Sequence, residues 1–405
     1  MSDKFERAVS IYNVPLGYSK TIGICDVTLR DGEQTAGVSF SLDEKVEIAS
    51  MLDELGIDQI QLGGARTQHD IDVAYAVSKL PRKHSNIEVM TSMFEKNWKK
   101  QVSVAVDSGA EVVHSLVPLS PLMRGMYPEH PNDQAVYDRV QETVAFIRES
   151  GAKLINISLL DTSRTPQKLI VDMTKLLCDL GVDRIRFADT VGTASPWAIS
   201  HMAQMMRETI DSHPSEKKPL LLAHIHNDFG LATANALAAV AGGTDMVDLS
   251  VNGLGDRCGN ADLAQVVIGI ESLLDLNTNI NVKGLYHLSK EVERISGIPV
   301  PRNAPFVGEM SFSVEGDSHT LASFSDPFAY QGIKPETVGN HSHMVVGKKN
   351  GPEFLRLKLS SLGMPPVGKE AADLILNAIH EKSESCHGAL ISDEEFCEIV
   401  NRYSY

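Results

Sequence analysis

Two histidines one residue apart, His224 and His226, follow the apolar run Pro219-Leu220-Leu221-Leu222 and precede Asn227-Asp228-Phe229-Gly230. An apolar run closed by such a turn signal predicts a buried strand. Strand side chains alternate faces, so both imidazoles point the same way at its C-terminal end, one pleat apart. A pair held like that can grip a divalent metal. Asp31, in Arg30-Asp31-Gly32-Glu33-Gln34, offers a hard oxygen donor, and Asn260 a weaker one. Together they make a ligand set with open positions, suited to Mn, Mg, Zn, Fe or Co. Asp31-Gly32 also reads as a plain turn. Arg30 would stabilise charge developing on a substrate oxygen near such an ion, or else pair with Asp26 or Glu33. A second His-X-His, His341 and His343, lies in a polar stretch with no strand to orient it and reads as surface.

Something must carry these groups to one place. Apolar runs at 21–27, 57–62, 87–91, 111–117, 153–158, 184–188, 219–224 and 246–251 predict eight strands. Helical patterns over 42–55, 70–80, 97–108, 132–150, 166–180, 196–212 and 231–241 alternate with them, several ending at a glycine. This rhythm over about 250 residues predicts a (β/α)8 barrel, with an open doubly wound sheet as the alternative. In such a barrel the chemistry gathers at the C-terminal ends of the strands. The polar signatures fall there: Arg30 and Asp31 after strand 1, Asp189-Thr190 after strand 6, His224 and His226 at strand 7, and Asn252 to Asn260 after strand 8. In that last loop the backbone amides of Gly253 and Gly255 could approach a cofactor phosphate or a carbonyl, while Asp256-Arg257 reads as an internal ion pair.

The expected organisation is a leader over 1–20, the barrel over 21–276, and a post-barrel linker with helical subdomains over 277–405. The last region holds a helix near 282–295, a Pro-rich connection over 297–305, an aperiodic stretch over 306–351, and helices near 355–361 and 370–383. Glu309, His319 and Tyr330 lie in the aperiodic stretch. They read as surface polar groups, or as a general acid or base if that stretch folds over the mouth as a lid. Hydrophobic content of 42% and charged content of 22% are ordinary for a soluble globular protein. The net charge of -16 argues against nucleic-acid and anionic-membrane partners. No apolar run reaches membrane-helix length, and the polar N-terminus is no signal peptide. Five cysteines (Cys25, Cys178, Cys258, Cys386, Cys397) without CxxC spacing suggest reduced thiols and a cytoplasmic location.

Cys25-Asp-Val-Thr-Leu-Arg30-Asp31-Gly-Glu-Gln34, His224-Ile-His226-Asn-Asp and Asn252-Gly-Leu-Gly-Asp-Arg-Cys-Gly-Asn260 resemble the DRE-TIM metallolyase superfamily. The resemblance is to its Claisen-condensing branch of isopropylmalate, homocitrate and citramalate synthases. Val307-Gly-Glu309, Gly316-Asp-Ser-His319 and Tyr330-Gln-Gly-Ile-Lys-Pro-Glu-Thr-Val-Gly339 resemble that branch's post-barrel subdomains. The resemblance implies a divalent metal on Asp31, His224 and His226 with Asn260 nearby, chelating a 2-oxo acid. It implies Thr190, Ser158 and Gln34 as substrate contacts, Arg30 as oxyanion stabiliser, and acetyl-CoA as co-substrate. It also implies a homodimer in which His319 and Tyr330 reach the partner's barrel, making the C-terminal region a mostly helical lid and dimerisation element. Three rim positions depart from the family pattern: Leu160 stands for a glutamate, Gln61 for a glutamate and Met123 for a histidine. A retro-aldol or retro-Claisen lyase on the same metal site is the alternative, and a catalytically silent metabolite-binding regulator is a third reading.

Overall fold

Eight short runs of apolar residues pair as parallel strands in sequence order: β1 (Gly23–Asp26), β2 (Gln59–Leu62), β3 (Asn86–Thr91), β4 (Val112–Pro118), β5 (Leu154–Leu160), β6 (Arg184–Asp189), β7 (Leu220–Ile225) and β8 (Met246–Leu249). In this computed structural model, which describes residues 5–17, 20–126, 132–385 and 390–403, β8 returns to β1 with Gly23 opposite Met246 and Asp26 opposite Leu249. That pairing closes the sheet into a barrel and removes the open-sheet alternative. Cys386 and the first four residues of the expected leader lie outside the described residues.

A helix follows each strand: Leu42–Leu55, Gln68–Ser78, Trp98–Asp107, Asp133–Glu149, Gln167–Asp179, Pro196–Ser212, Ala232–Ala241 and Leu263–Leu273. The first opens with a capping box between Ser41 and Glu44 and stops at Gly56, which has φ +97°. The last has no counterpart in the sequence pattern. Nearly every residue of Leu263–Leu273 is buried, so no polar stripe marks its 3.6-residue period.

The barrel interior is polar at its centre. Arg186 on β6, almost wholly buried, meets Glu88 Oε1 on β3 at 2.8 Å and Asp248 Oδ2 on β8 at 3.0 Å. Glu88 also accepts from Gln59 Nε2 (2.7 Å), Asn156 Nδ2 (2.7 Å) and Gln61 Nε2, and its Oε1 lies 3.2 Å from His114 Nδ1. Six strands thus converge on one ion cluster. Burial alone would raise the Glu88 pKa, but Arg186 and His114 outweigh it and hold the carboxyl well below its usual range.

The chain divides by contact into two units, residues 12–299 and residues 5–11 with 300–403. The first contains the barrel and the helix Leu285–Ser296, where Arg294 pairs with Glu47 of Leu42–Leu55. The contact boundary falls at 299/300, within the Pro-rich segment. The second unit holds the helices Asp317–Ser325, Pro352–Ser361, Lys369–Ser385 and Asp393–Tyr403. Phe354, Leu359, Ile375, Ile379, Phe396 and Val400 form its core. Among the described residues no helix is long and apolar enough to cross a membrane.

Removing one member of a buried ion cluster leaves the others uncompensated, at a cost of about 3–5 kcal/mol. Arg186→Met is therefore expected to lower the melting temperature by on the order of 10 °C. Differential scanning calorimetry checks this, and an unchanged transition would show that the cluster contributes no net stability.

Candidate active site

β7 ends with His224 pointing into the barrel mouth, and His226 follows just beyond the strand, paired through its backbone with Asn260. Their Nε2 atoms lie 3.1 Å apart. Asp31 Oδ2 sits 3.3 Å from His224 Nε2 and 3.8 Å from His226 Nε2. All three residues are buried, and one ligand atom from each falls within 4.8 Å of the others. Among the described residues no other trio of His, Cys, Asp or Glu converges in this way.

Each member is held by something else. His224 Nδ1 bonds Asp248 Oδ2 at 3.0 Å, which fixes the ring and turns Nε2 toward the other two. Burial would lower the His224 pKa, but the bonds to Asp248 and Asp31 prevail and raise it. Burial, with the neighbouring His224, pushes His226 down to about 3, so His226 is neutral and presents a lone pair. Asp31 is pulled the other way: burial favours its neutral form, but Arg30 and the two histidines hold it well below the usual carboxylate range. Its Oδ1 accepts the Asp256 amide at 3.0 Å, leaving Oδ2 for the histidines. Gly192, after β6, has φ +58°, and a Cβ there would fall 2.7 Å from Asp228 N and 2.8 Å from His226 O. Only glycine lets that loop press against the His226 backbone.

The donor set fits a divalent cation. It joins two imidazole nitrogens and one carboxylate oxygen, all buried. Asn260 adds a further argument. Its Nδ2 donates to Leu254 O at 3.1 Å, while its Oδ1 is buried with no hydrogen-bond partner, an acceptor that is costly to leave unmet.

Arg30 pairs with neither of the alternatives set by sequence. Asp26 accepts from Thr28, and Glu33 pairs with Lys45 at 2.5 Å. Arg30 instead bonds Asp31 Oδ2 through Nη1 at 2.6 Å and Gln61 Oε1 through Nε. Gln61 in turn donates to Glu88, so the metal-ligand candidate and the interior cluster are mechanically joined.

These groups line a cavity of about 140 Å³ at the barrel mouth, together with Gln34, Ser158 and Thr190. Ser158 Oγ bonds His114 Nε2 at 2.7 Å. Thr190 Oγ1 accepts the Asp161 amide at 2.8 Å, which leaves its own hydrogen free to donate. Gln34 is exposed at the rim. Asp256-Arg257 forms an ion pair at 3.3 Å as read from sequence, and Arg257 also grips Asp228 at 2.8 and 3.0 Å.

Gly253 and Gly255 are not free to cradle a phosphate. The Gly253 amide donates to Ser250 O and the Gly255 amide to Thr35 Oγ1. A Cβ on Gly255 would fall on the Asn260 side-chain amide. That loop is glycine-rich because it packs tightly around Asn260. Glu309, His319 and Tyr330 belong to the second unit. There His319 and Tyr330 are exposed with ring centroids 4.4 Å apart, and Glu309 lies 3.7 Å from Arg302. His341 and His343 also lie close there, with ring centroids 4.4 Å apart and the rings tilted. Sequence reasoning missed His114, Arg186 and Asp248. Their signal was present as polar residues at alternate positions of otherwise apolar strands, the parity that faces a barrel interior.

Comparison with known proteins places this geometry. The HMGL-like family model matches residues 21–292. Three proteins of Methanocaldococcus jannaschii are each 32% identical to the chain: a 2-isopropylmalate synthase (98% of this chain, 73% of that one), the homocitrate synthase AksA (97% and 93%) and the (R)-citramalate synthase CimA (94% and 74%). A hydroxymethylglutaryl-CoA lyase from Acinetobacter baumannii, solved with coenzyme A and 3-methylmalate, superposes with a TM-score of 0.59 at 19% identity, over 70% of this chain and 94% of that one. That likeness is one of fold. The chain belongs to the HMGL-like (DRE-TIM) family, in the branch that holds the isopropylmalate, citramalate and homocitrate synthases.

His226→Ala is expected to strip divalent metal from the purified protein, and Asp248→Asn to weaken metal affinity about 10- to 100-fold by freeing the His224 ring. Elemental analysis and competition with a chromophoric chelator report both. Full metal content in the His226 variant would remove the ligand assignment.

Proposed function

We propose that this protein condenses acetyl-CoA with a 2-oxo acid, giving a 2-alkylmalate-type product and free CoA. The observation that carries the reading is the buried convergence of Asp31, His224 and His226 beside Arg30, in a cavity sized for a small organic acid. A divalent ion held there supplies Lewis-acid polarisation of the keto oxygen and a counter-charge for the carboxylate.

The residues then have distinct tasks. Thr190 and Ser158 donate hydrogen bonds to the carboxylate of the 2-oxo acid, and Gln34 borders the entry. A methyl proton of the acetyl thioester passes to a base, and the resulting enolate carbon forms a bond to the keto carbon. Electron density moves onto the keto oxygen, where the Arg30 guanidinium stabilises it until it is protonated. Water then cleaves the thioester, releasing CoA as thiol and leaving a second carboxylate. His319 and Tyr330, with Glu309, carry the proton transfers, acting from the partner subunit of a homodimer in the cytoplasm. The close approach of the His319 and Tyr330 rings, with centroids 4.4 Å apart, supports a shared role. Three relatives at equal identity, named for condensations with three different 2-oxo acids, support the reaction type over lyase chemistry.

Release of free thiol from acetyl-CoA, with Mn or Mg, across 2-oxoisovalerate, pyruvate, 2-oxobutyrate, 2-oxoglutarate and oxaloacetate tests this. One acid at least should give stoichiometric thiol and a condensed product by mass spectrometry; silence across the panel in metal-loaded protein overturns the reading. His319→Ala should lower kcat at least 100-fold while changing 2-oxo acid affinity less than threefold, the signature of a proton-transfer group. Equal losses in both would make His319 structural.

A further inference from the structure

The cavity wall opposite the metal-ligand candidates is apolar. Leu160 follows Ser158 on the same face of β5, and Leu116 stands opposite Ser158 on β4, with Ala188 on the neighbouring β6. Leu116 and Leu160 are partly exposed although they lie in strands, because their free surface lines the cavity.

The charges around that wall are already spent. Three guanidinium groups line the cavity. Arg30 is paired with Asp31 at 2.6 Å, Arg186 with Glu88 and Asp248 at 2.8 and 3.0 Å, and Arg257 with Asp228 and Asp256 at 2.8 and 3.3 Å. No lysine lines it. A second carboxylate on the substrate, as in 2-oxoglutarate or oxaloacetate, would find no uncompensated cation among these described lining residues. It would lie against two leucines, a placement that strongly disfavours an anion.

We infer that the 2-oxo acid of this site is a monocarboxylate with a short, uncharged, apolar side chain, and that Leu160 with Leu116 selects it. This rests on the condensation reading above and adds the substrate class to it. The carboxylate and keto oxygens engage the polar side of the cavity formed by Asp31, His224, His226 and Thr190. The alkyl group packs on Leu116, Leu160 and Ala188. The overall identities to relatives do not decide this, since synthases named for different acids match equally well. Leu160 does, because a glutamate at that position would face the same alkyl group with a charge.

The test uses full-length, Mn-loaded protein in two assays. In the thiol-release assay, kcat/KM for 2-oxobutyrate or 2-oxoisovalerate should exceed that for 2-oxoglutarate and oxaloacetate by at least about 100-fold. Leu160→Glu should reduce that ratio at least tenfold, mainly through KM for the apolar acids, with metal content unchanged. Leu160→Met, which keeps the wall apolar and guards against a folding defect, should keep the ratio within about threefold. Calorimetric titration of each acid into the same protein ranks affinities without turnover. A dicarboxylic acid preferred in either assay, or a ratio unmoved in a folded Leu160→Glu protein, overturns the inference. Silence of thiol release with every acid, alongside tight binding of the apolar ones, overturns the condensation reading and leaves the substrate class standing.

Discussion

Arg186 sits between Glu88 and Asp248 at the centre of a barrel, and the site depends on that one buried cation. Burial alone would favour the neutral form of Glu88, and Arg186 is the chief charge opposing it. With Arg186 between them, Asp248 stays available to hold His224 through Nδ1, and Glu88 stays available to anchor Gln59, Gln61 and Asn156. Such clusters add little net stability when compared with an apolar core. Their use here is geometric. Six strands are tied to common atoms just beneath the mouth, so the side chains one or two residues further along each strand have fixed directions.

The ligand trio inherits that rigidity from three sides. Asp248 orients His224 from below, the loop after β6 presses on the His226 backbone through Gly192, and the loop after β8 pins Asp31 through the Asp256 amide. Gln61 joins the two layers, since its amide oxygen takes the Arg30 Nε–H while its NH2 serves Glu88. A glutamate, the residue more usual at this position in the resembled family, could accept from Arg30 but could not donate to Glu88. The substitution is thus matched to the carboxylate beneath it. Leu160 marks a different adjustment. It lines the same cavity and leaves the metal-ligand candidates intact.

The two units differ in how their architecture is encoded. In the barrel unit each element buries one face against the next, and the period of the pattern is visible residue by residue. In residues 300–403 the helices are joined by irregular segments, and the core is assembled from apolar positions such as Phe354, Ile375, Ile379 and Phe396. The short helix Asp317–Ser325, with only Thr320 buried, accordingly left no clear periodic trace, whereas Asp393–Tyr403 carries Phe396, Ile399 and Val400 at helical spacing and was legible but overlooked.

Alternation of apolar runs and amphipathic stretches determined the eight strands, seven of the helices that follow them, and hence the barrel, because each period of 2 or 3.6 specifies an element locally. Spacing and position after the strands also marked Arg30, Asp31, His224, His226 and Asn260, since a barrel collects strand ends at one mouth. The helix Leu263–Leu273 escaped because burial on all sides erases the polar half of its period. The Gly253-Leu254-Gly255 segment looked like a phosphate cradle, yet the Gly253 and Gly255 amides donate to Ser250 O and to Thr35 Oγ1 after β1. Only tertiary structure decided which partner each polar group takes: Arg30 with Gln61 rather than Glu33, and Arg186 with Glu88 and Asp248. These contacts join residues tens of positions apart in the chain. Their energies depend on distance and burial in space, and neither quantity is written in the local pattern of the chain.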